Sequence, residues 1–236
     1  SEWRAAAGRD AVSIFVKVRQ FGELKKLRKA ARVDPTPETI GALAERYISL
    51  GRIEDAARIA DRGIERFPAS ERLKVIRTFT RKQQLQTQIS SLRAEMAKHP
   101  SPLVFSQLAE INVELGNHEQ ALRICEQCIE RFPLNEAPYL IIGQIRLERF
   151  CQDKIAHDGV EAEAQLRRVS KLNGQNVKSH LLLSLLYYLI GALNSMKKHL
   201  EIALDLAPDS RQFDEFVLHV EAGTFRAGPM ECEEED

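Results

Sequence analysis

The chain has 236 residues, with 34 basic and 34 acidic side chains and a formal net charge of zero. Apolar residues make up 44% and charged residues 29%, which excludes wholesale disorder and suits a soluble folded protein. No run of about 18 uncharged apolar residues is present, so this segment contains no predicted membrane span, and no secretory leader is visible. The chain starts at Ser1 rather than at methionine, which leaves open an anchor or a further domain before it.

The two halves of the chain carry opposite charge. Residues 1–100 contain 21 basic and 12 acidic side chains, whereas residues 101–236 contain 13 basic and 22 acidic ones. Such an asymmetry between halves indicates a charged partner or self-association.

An internal repeat organises the sequence. The segment Ile64–Pro68 recurs unchanged at Ile129–Pro133, and Pro100 lies between them, which indicates a unit of 32–34 residues. Within a unit, apolar residues follow the helical period on two segments, separated at Gly51 and ended by Pro68. Small side chains on the second segment permit close helix packing. The pattern predicts an all-α chain of stacked antiparallel helix pairs.

These motifs resemble the tetratricopeptide repeat family. The residues that carry the resemblance are Leu43, Ala44, Tyr47, Gly51, Ala56, Ala60, Gly63 and Pro68; Phe105, Leu108, Ala109, Gly116, Ala121, Cys125, Cys128 and Pro133; and His180, Leu183, Ser184, Tyr187, Gly191, Ala203 and Pro208. No unit has the signature tryptophan, and Asn112 and Met196 replace the usual Tyr and Ala. The resemblance implies an α-solenoid with a right-handed superhelical course.

The repeat register predicts one helical-repeat domain over residues 1–222, followed by an acidic disordered tail at 223–236. Two of its repeats are degenerate, because Gln83–Gln86 replaces the turn glycine in one and Cys151–Gly159 is inserted in the other. The predicted parts are a helical pair at 11–34, repeats at 37–68, 69–100, 102–135, 136–176 and 177–210, and an amphipathic capping helix at 211–222.

No pattern of catalytic, metal-ligating or phosphate-binding residues emerges. Cys125 and Cys128 form a CxxC, but they occupy the positions of Ala60 and Gly63, so we expect them to pack as small apolar residues. The histidines lack metal spacing, and Asp153, His157 and Asp158 are expected in a loop. We therefore expect a non-enzyme with no cofactor and no metal. The four scattered cysteines favour a reducing compartment such as the cytoplasm.

A candidate partner-binding groove follows from the resemblance, since the first helix of each repeat lines the concave face of this family. In the C-terminal half those positions form a largely apolar stripe made of Leu140, Gln144, Leu147, Leu181, Leu185 and Tyr188. Binding of a partner segment and coverage by the capping helix or a second copy are both open. Residues 181–190 are apolar all round, so their helix must be buried on most sides.

A basic patch near the N-terminus consists of Lys25, Lys26, Arg28, Lys29 and Arg32, preceded by Lys17 and Arg19. It is either a solvated helix face or a site for an acidic peptide or an anionic surface. Nucleic acid is disfavoured as a partner, because few aromatic residues accompany the patch.

The leading functional hypothesis is a non-catalytic scaffold for protein–protein interaction that holds a partner segment in its groove. The alternative is a self-assembling subunit, a homo-oligomer whose basic N-terminal half meets the acidic C-terminal half of the next copy.

Overall fold

The computed structural model describes residues 22–208, and within them it contains ten α-helices and no strand. The prediction of an all-α chain of antiparallel helix pairs is confirmed. The predicted residues 11–21, the capping helix at 211–222 and the tail at 223–236 lie outside the described part. The helices are α1 (22–33), α2 (Pro37–Ser49), α3 (Ile53–Arg66), α4 (Glu71–Lys98), α5 (Pro102–Glu114), α6 (His118–Arg131), α7 (Ala137–Asp153), α8 (Ala156–Leu172), α9 (Val177–Leu189) and α10 (Leu193–Leu206).

The chain divides into two compact units between Ser90 and Ser91. The division falls within α4, a single helix of 28 residues where a helix pair was expected at 69–100. The physical reason is local. Gln83–Gln86 contains neither glycine nor proline, and long straight-chain side chains favour continuation of the helix.

In unit 1, α2 and α3 form a hairpin that is stabilised at both ends of α2. Thr36 caps the helix, because its hydroxyl accepts a hydrogen bond of 3.2 Å from the backbone N–H of Thr39. Gly51 reverses the chain with a φ of +70°, which costs little without a Cβ. Gly63 allows close packing, since a Cβ there would lie 2.9 Å from both Ile40 and Leu73.

After the end of α4, the described part of unit 2 forms three hairpins, α5–α6, α7–α8 and α9–α10. The middle hairpin is longer than its neighbours, because α7 and α8 have 17 residues each whereas α5 has 13 and α6 has 14. The insertion thus extends both helices by about one turn. Asp153, His157 and Asp158, expected in a loop, are instead the last residue of α7 and two residues in the first turn of α8.

The first helices of the three hairpins form one layer, in which α7 packs against both α5 and α9. The described core includes a cluster of Leu166, Leu183 and Tyr187, and α9 is buried nearly all round, as predicted. Among the described residues, no helix is both long and apolar enough to cross a membrane.

Candidate protein-binding surface

Three of the six predicted groove residues are interior. Leu147, Leu181 and Leu185 are only 1%, 3% and 1% exposed. Leu147 and Leu185 belong to one cluster with Phe150 and Leu186, so they seal the contact between α7 and α9. The expected apolar stripe is therefore wrong as an exposed surface. The cause is that α9 is packed on nearly all sides by other helices, so most of its side chains are not accessible to solvent.

The other three groove residues retain accessible surface. Leu140 and Gln144 are half-buried on α7, and Tyr188 is 39% exposed on α9. Glu148, which the sequence interpretation missed, continues the accessible row on α7. Residues four apart on a helix lie within about 40° of each other, so the three residues 140, 144 and 148 lie along one side of α7, with Leu147 at the edge that packs against α9.

A second accessible row lies on α5, the neighbour of α7. Leu103 is 65% exposed and Glu110 is exposed. In the repeat register, Glu110 is equivalent to Gln144 of α7, whereas Leu103 is equivalent to Ala137 at the start of that helix. We call the accessible residues of both helices, Leu103, Glu110, Leu140, Gln144 and Glu148, the α5–α7 surface. It combines two leucines with two carboxylates, so it favours a ligand that is partly apolar and partly cationic.

Polar contacts hold α7 against both α6 and α8. Arg149 donates a hydrogen bond of 2.6 Å to Glu119. This guanidinium lowers the pKa of the Glu119 carboxyl, which keeps it ionised as a partner. Arg146 pairs at 2.8 Å with Asp158, a buried residue at the start of α8. Both contacts fix the helix that carries the accessible row.

The basic patch lies on the outer face of α1. All five of its residues are exposed, while Leu24 is buried against Leu43 and Tyr47. Arg28 serves the fold, because its Nε donates a hydrogen bond of 2.7 Å to the Tyr47 hydroxyl. The remaining cations contact no carboxylate within residues 22–208. They are Lys25, Lys26, Lys29 and Arg32. Lys17 and Arg19 lie outside the described residues.

The CxxC is buried in the α5–α6 hairpin, as its register predicts. Cys125 and Cys128 are each 1% exposed. Burial raises the pKa of the Cys125 thiol to about 12 and also raises that of Cys128. Since the thiolate is the nucleophilic form, both cysteines are inert packing residues at neutral pH.

Comparison with known proteins places a family motif on this hairpin. The sequence profile of the tetratricopeptide repeat matches residues 104–135, which comprise nearly all of α5 and the whole of α6. No curated protein sequence matches the chain.

Several solved structures are similar to the chain at low sequence identity. YrrB, a tetratricopeptide repeat protein with an unusual peptide-binding site, is 14% identical with a TM-score of 0.44, covering 83% of this chain and 97% of its own. A thermophilic tetratricopeptide repeat protein of Thermus thermophilus is 19% identical with a TM-score of 0.47, covering 79% and 98%. PilF of Pseudomonas aeruginosa is 18% identical with a TM-score of 0.45, covering 89% and 97%.

Residues 104–135 therefore carry a tetratricopeptide repeat, and they form a hairpin whose turn glycine, Gly116, has a φ of +74°. The hairpins α2–α3 and α9–α10 also turn at a glycine with positive φ, Gly51 and Gly191 respectively.

Proposed function

We propose that the protein is a non-catalytic scaffold that binds a segment of a partner protein on the α5–α7 surface. The observation that carries the proposal is Leu103, a large apolar side chain that is 65% exposed, on the same side of α5 as the exposed Glu110 two turns later. Stacked helix pairs present their first helices as an extended binding face. Because leucines alternate there with carboxylates, the segment should carry apolar anchors and basic side chains.

The test is a pair of matched double variants of the full chain. Leu103→Arg/Glu110→Arg places like charge on the α5–α7 surface. The control Leu134→Arg/Glu130→Arg makes the same changes at an exposed leucine and glutamate at the end of α6 and just beyond it. Affinity capture with mass spectrometry should identify proteins that the control retains and the first variant loses. A measured affinity should fall by about tenfold or more, which is the effect of one binding hot spot. Equal retention by both variants contradicts the assignment.

Self-assembly is the second candidate, and the unneutralised cations of α1 favour it. Lys25, Lys29 and Arg32 recur at helical spacing on one exposed face. The acidic second half of another copy would supply the complementary charge, and such head-to-tail contacts give rings or filaments.

Analytical ultracentrifugation separates the two candidates. Association through charge should appear at about 0.01 M salt, where the Debye length is about 30 Å, and vanish at about 1 M. Lys25→Glu/Lys29→Glu/Arg32→Glu should abolish it, whereas the matched triple reversal at the exposed Lys82, Arg93 and Lys98 of α4 should not. A monomer at both salt concentrations removes this candidate.

We also propose a reducing compartment for the protein. Cys125, Cys128 and Cys151 are free thiols, and burial raises the pKa of Cys151 to about 11. In the test, exposed thiols are first alkylated in intact cells, and the protein is then denatured and alkylated again. All three cysteines should be labelled by the second step. Disulfides found under those conditions would contradict the proposal.

A further inference from the structure

Two histidines on consecutive helices form a hydrogen-bonded pair. The Nδ1 atoms of His180 on α9 and His199 on α10 lie 2.9 Å apart, and their rings stack with centroids 5.2 Å apart. His180 is 5% exposed, and its Nε2 lies 3.2 Å from the carbonyl oxygen of Gly174. Because a carbonyl only accepts, His180 Nε2 carries the proton and His180 Nδ1 is the acceptor. His199 must then donate from its own Nδ1.

Charged and titratable groups surround the pair on three helices. The Tyr187 ring of α9 stacks on His199 with centroids 5.5 Å apart. The Tyr187 hydroxyl donates to Glu163 of α8 at 2.7 Å and accepts from Arg167 at 2.9 Å. Burial lowers the pKa of His199, and the positive charges of His180, Lys198 and Arg167 lower it further, whereas Glu163 acts in the opposite direction.

We propose that the His180–His199 pair is a pH-sensitive latch that holds α10 on α9 and releases it in acid. In the closed pair, one of the two Nδ1 atoms carries a hydrogen and the other accepts the hydrogen bond, so only one proton lies between them. If both rings were fully protonated, two N–H groups would face each other across 2.9 Å, and no hydrogen bond would be possible. Released histidines accept a proton each. Falling pH therefore favours the released state.

Helix α10 is the element that such a latch can release, because among the described helices it is held chiefly by α9. Within the described part of unit 2, α10 packs chiefly against α9, and Ala203 is its one fully buried residue. Met196 of α10 lies against the cluster that contains Leu183 and Tyr187. Release would uncover this apolar face of α9, so acid would turn a covered core face into an exposed apolar surface.

The pH window follows from the direction of the pKa shift. The closed state disfavours the protonated form of this histidine. The neutral histidine therefore stabilises the closed state fully at pH values above the pKa of about 6.5 that it has when released. That contribution is lost as the pH falls towards the lowered pKa of the closed state. For each proton that the closed pair excludes, the equilibrium constant for release rises about fivefold between pH 6.5 and 5.5, because the released histidine is already half protonated at pH 6.5.

The first test uses the unmodified full chain with ¹⁵N-labelled histidine. At pH 8, NMR should show His180 as the Nε2–H tautomer and His199 as the less common Nδ1–H tautomer. His199 should titrate below the value of about 6.5 of an unperturbed histidine. A His199 with its proton on Nε2 and an unperturbed pKa overturns the proposal.

The second test measures release by hydrogen exchange, corrected for the intrinsic effect of pH. Protection of the amides at 193–206 should fall about fivefold from pH 6.5 to 5.5, while that at 118–131 stays constant. His199→Gln should remove this dependence, because its amide can turn to donate to neutral His180 or to accept from the protonated ring. His157→Gln, the control, should keep it. Equal pH dependence in His199→Gln and in the unmodified chain would contradict the latch.

Discussion

Helices α7 and α8 approach most closely at Gly143. A Cβ added there would lie 2.8 Å from both Cγ and Cδ2 of Leu166, which is fully buried. Gly143→Ala and Leu166→Ala should therefore compensate each other, because the second substitution empties the space that the first needs. The double-mutant cycle tests this contact directly.

The magnitudes predict a change of sign. In the unmodified chain, Gly143→Ala adds an overpacking cost of about 1–3 kcal/mol and gains up to about 1 kcal/mol of helix preference, for a net loss of about 1 kcal/mol. Leu166→Ala should cost about 3 kcal/mol through lost burial and a cavity. In that background the added methyl meets no clash, so Gly143→Ala should stabilise by about 1 kcal/mol.

Urea denaturation of the four proteins, followed by circular dichroism, measures the cycle. Midpoints are comparable where the slopes agree, since repeat arrays can depart from two-state unfolding. Gly22→Ala is the control, because no heavy atom lies within 4 Å of its Cβ position. If Gly143→Ala destabilises the protein equally with and without Leu166, the close approach of the helices is refuted.

Three further predictions concern stability and reactivity. Arg146→Met should destabilise the protein by about 3 kcal/mol, because it leaves buried Asp158 unpaired. Adding Asp158→Leu should recover most of that free energy of unfolding, as measured by urea denaturation. No recovery in the double variant would contradict the pairing. Thr36→Ala should cost about 1 kcal/mol by loss of the cap, and thermal unfolding should show a lowered midpoint. In a Cys151→Ala/Cys232→Ser background, Cys125 and Cys128 should react with a thiol reagent only on unfolding, so fast labelling of the native protein would refute their burial.

The hairpins were predictable because their determinants are local. Gly51, Gly116 and Gly191 all adopt positive φ at the turns where the sequence places them. The burial of Cys125 and Cys128 followed from their equivalence to Ala60 and Gly63 in the repeat register. Each of these conclusions depends on one residue and on neighbours within one hairpin.

The candidate surface was less predictable because accessibility depends on which helices pack together. Leu103 and Leu185 hold groove positions in their repeats, yet one is 65% exposed and the other 1%. The repeat register assigns both to a first helix, and although the apolar sequence predicted that α9 is buried, it did not show that the face carrying Leu185 packs on α7. Glu148 was missed for a related reason, since packing against α9 buries Leu147 and leaves its neighbour Glu148 partly accessible.

By itself, the sequence determined the repeat unit, the all-α class and the residues that turn and close each hairpin, since these arise from backbone preferences and short-range periodicity. Only the tertiary structure decided that α4 is one continuous helix dividing two units, that Leu147 and Leu185 are core residues, and that His180 meets His199 across two helices. These outcomes depend on distances between residues far apart in the sequence, and packing sets such distances.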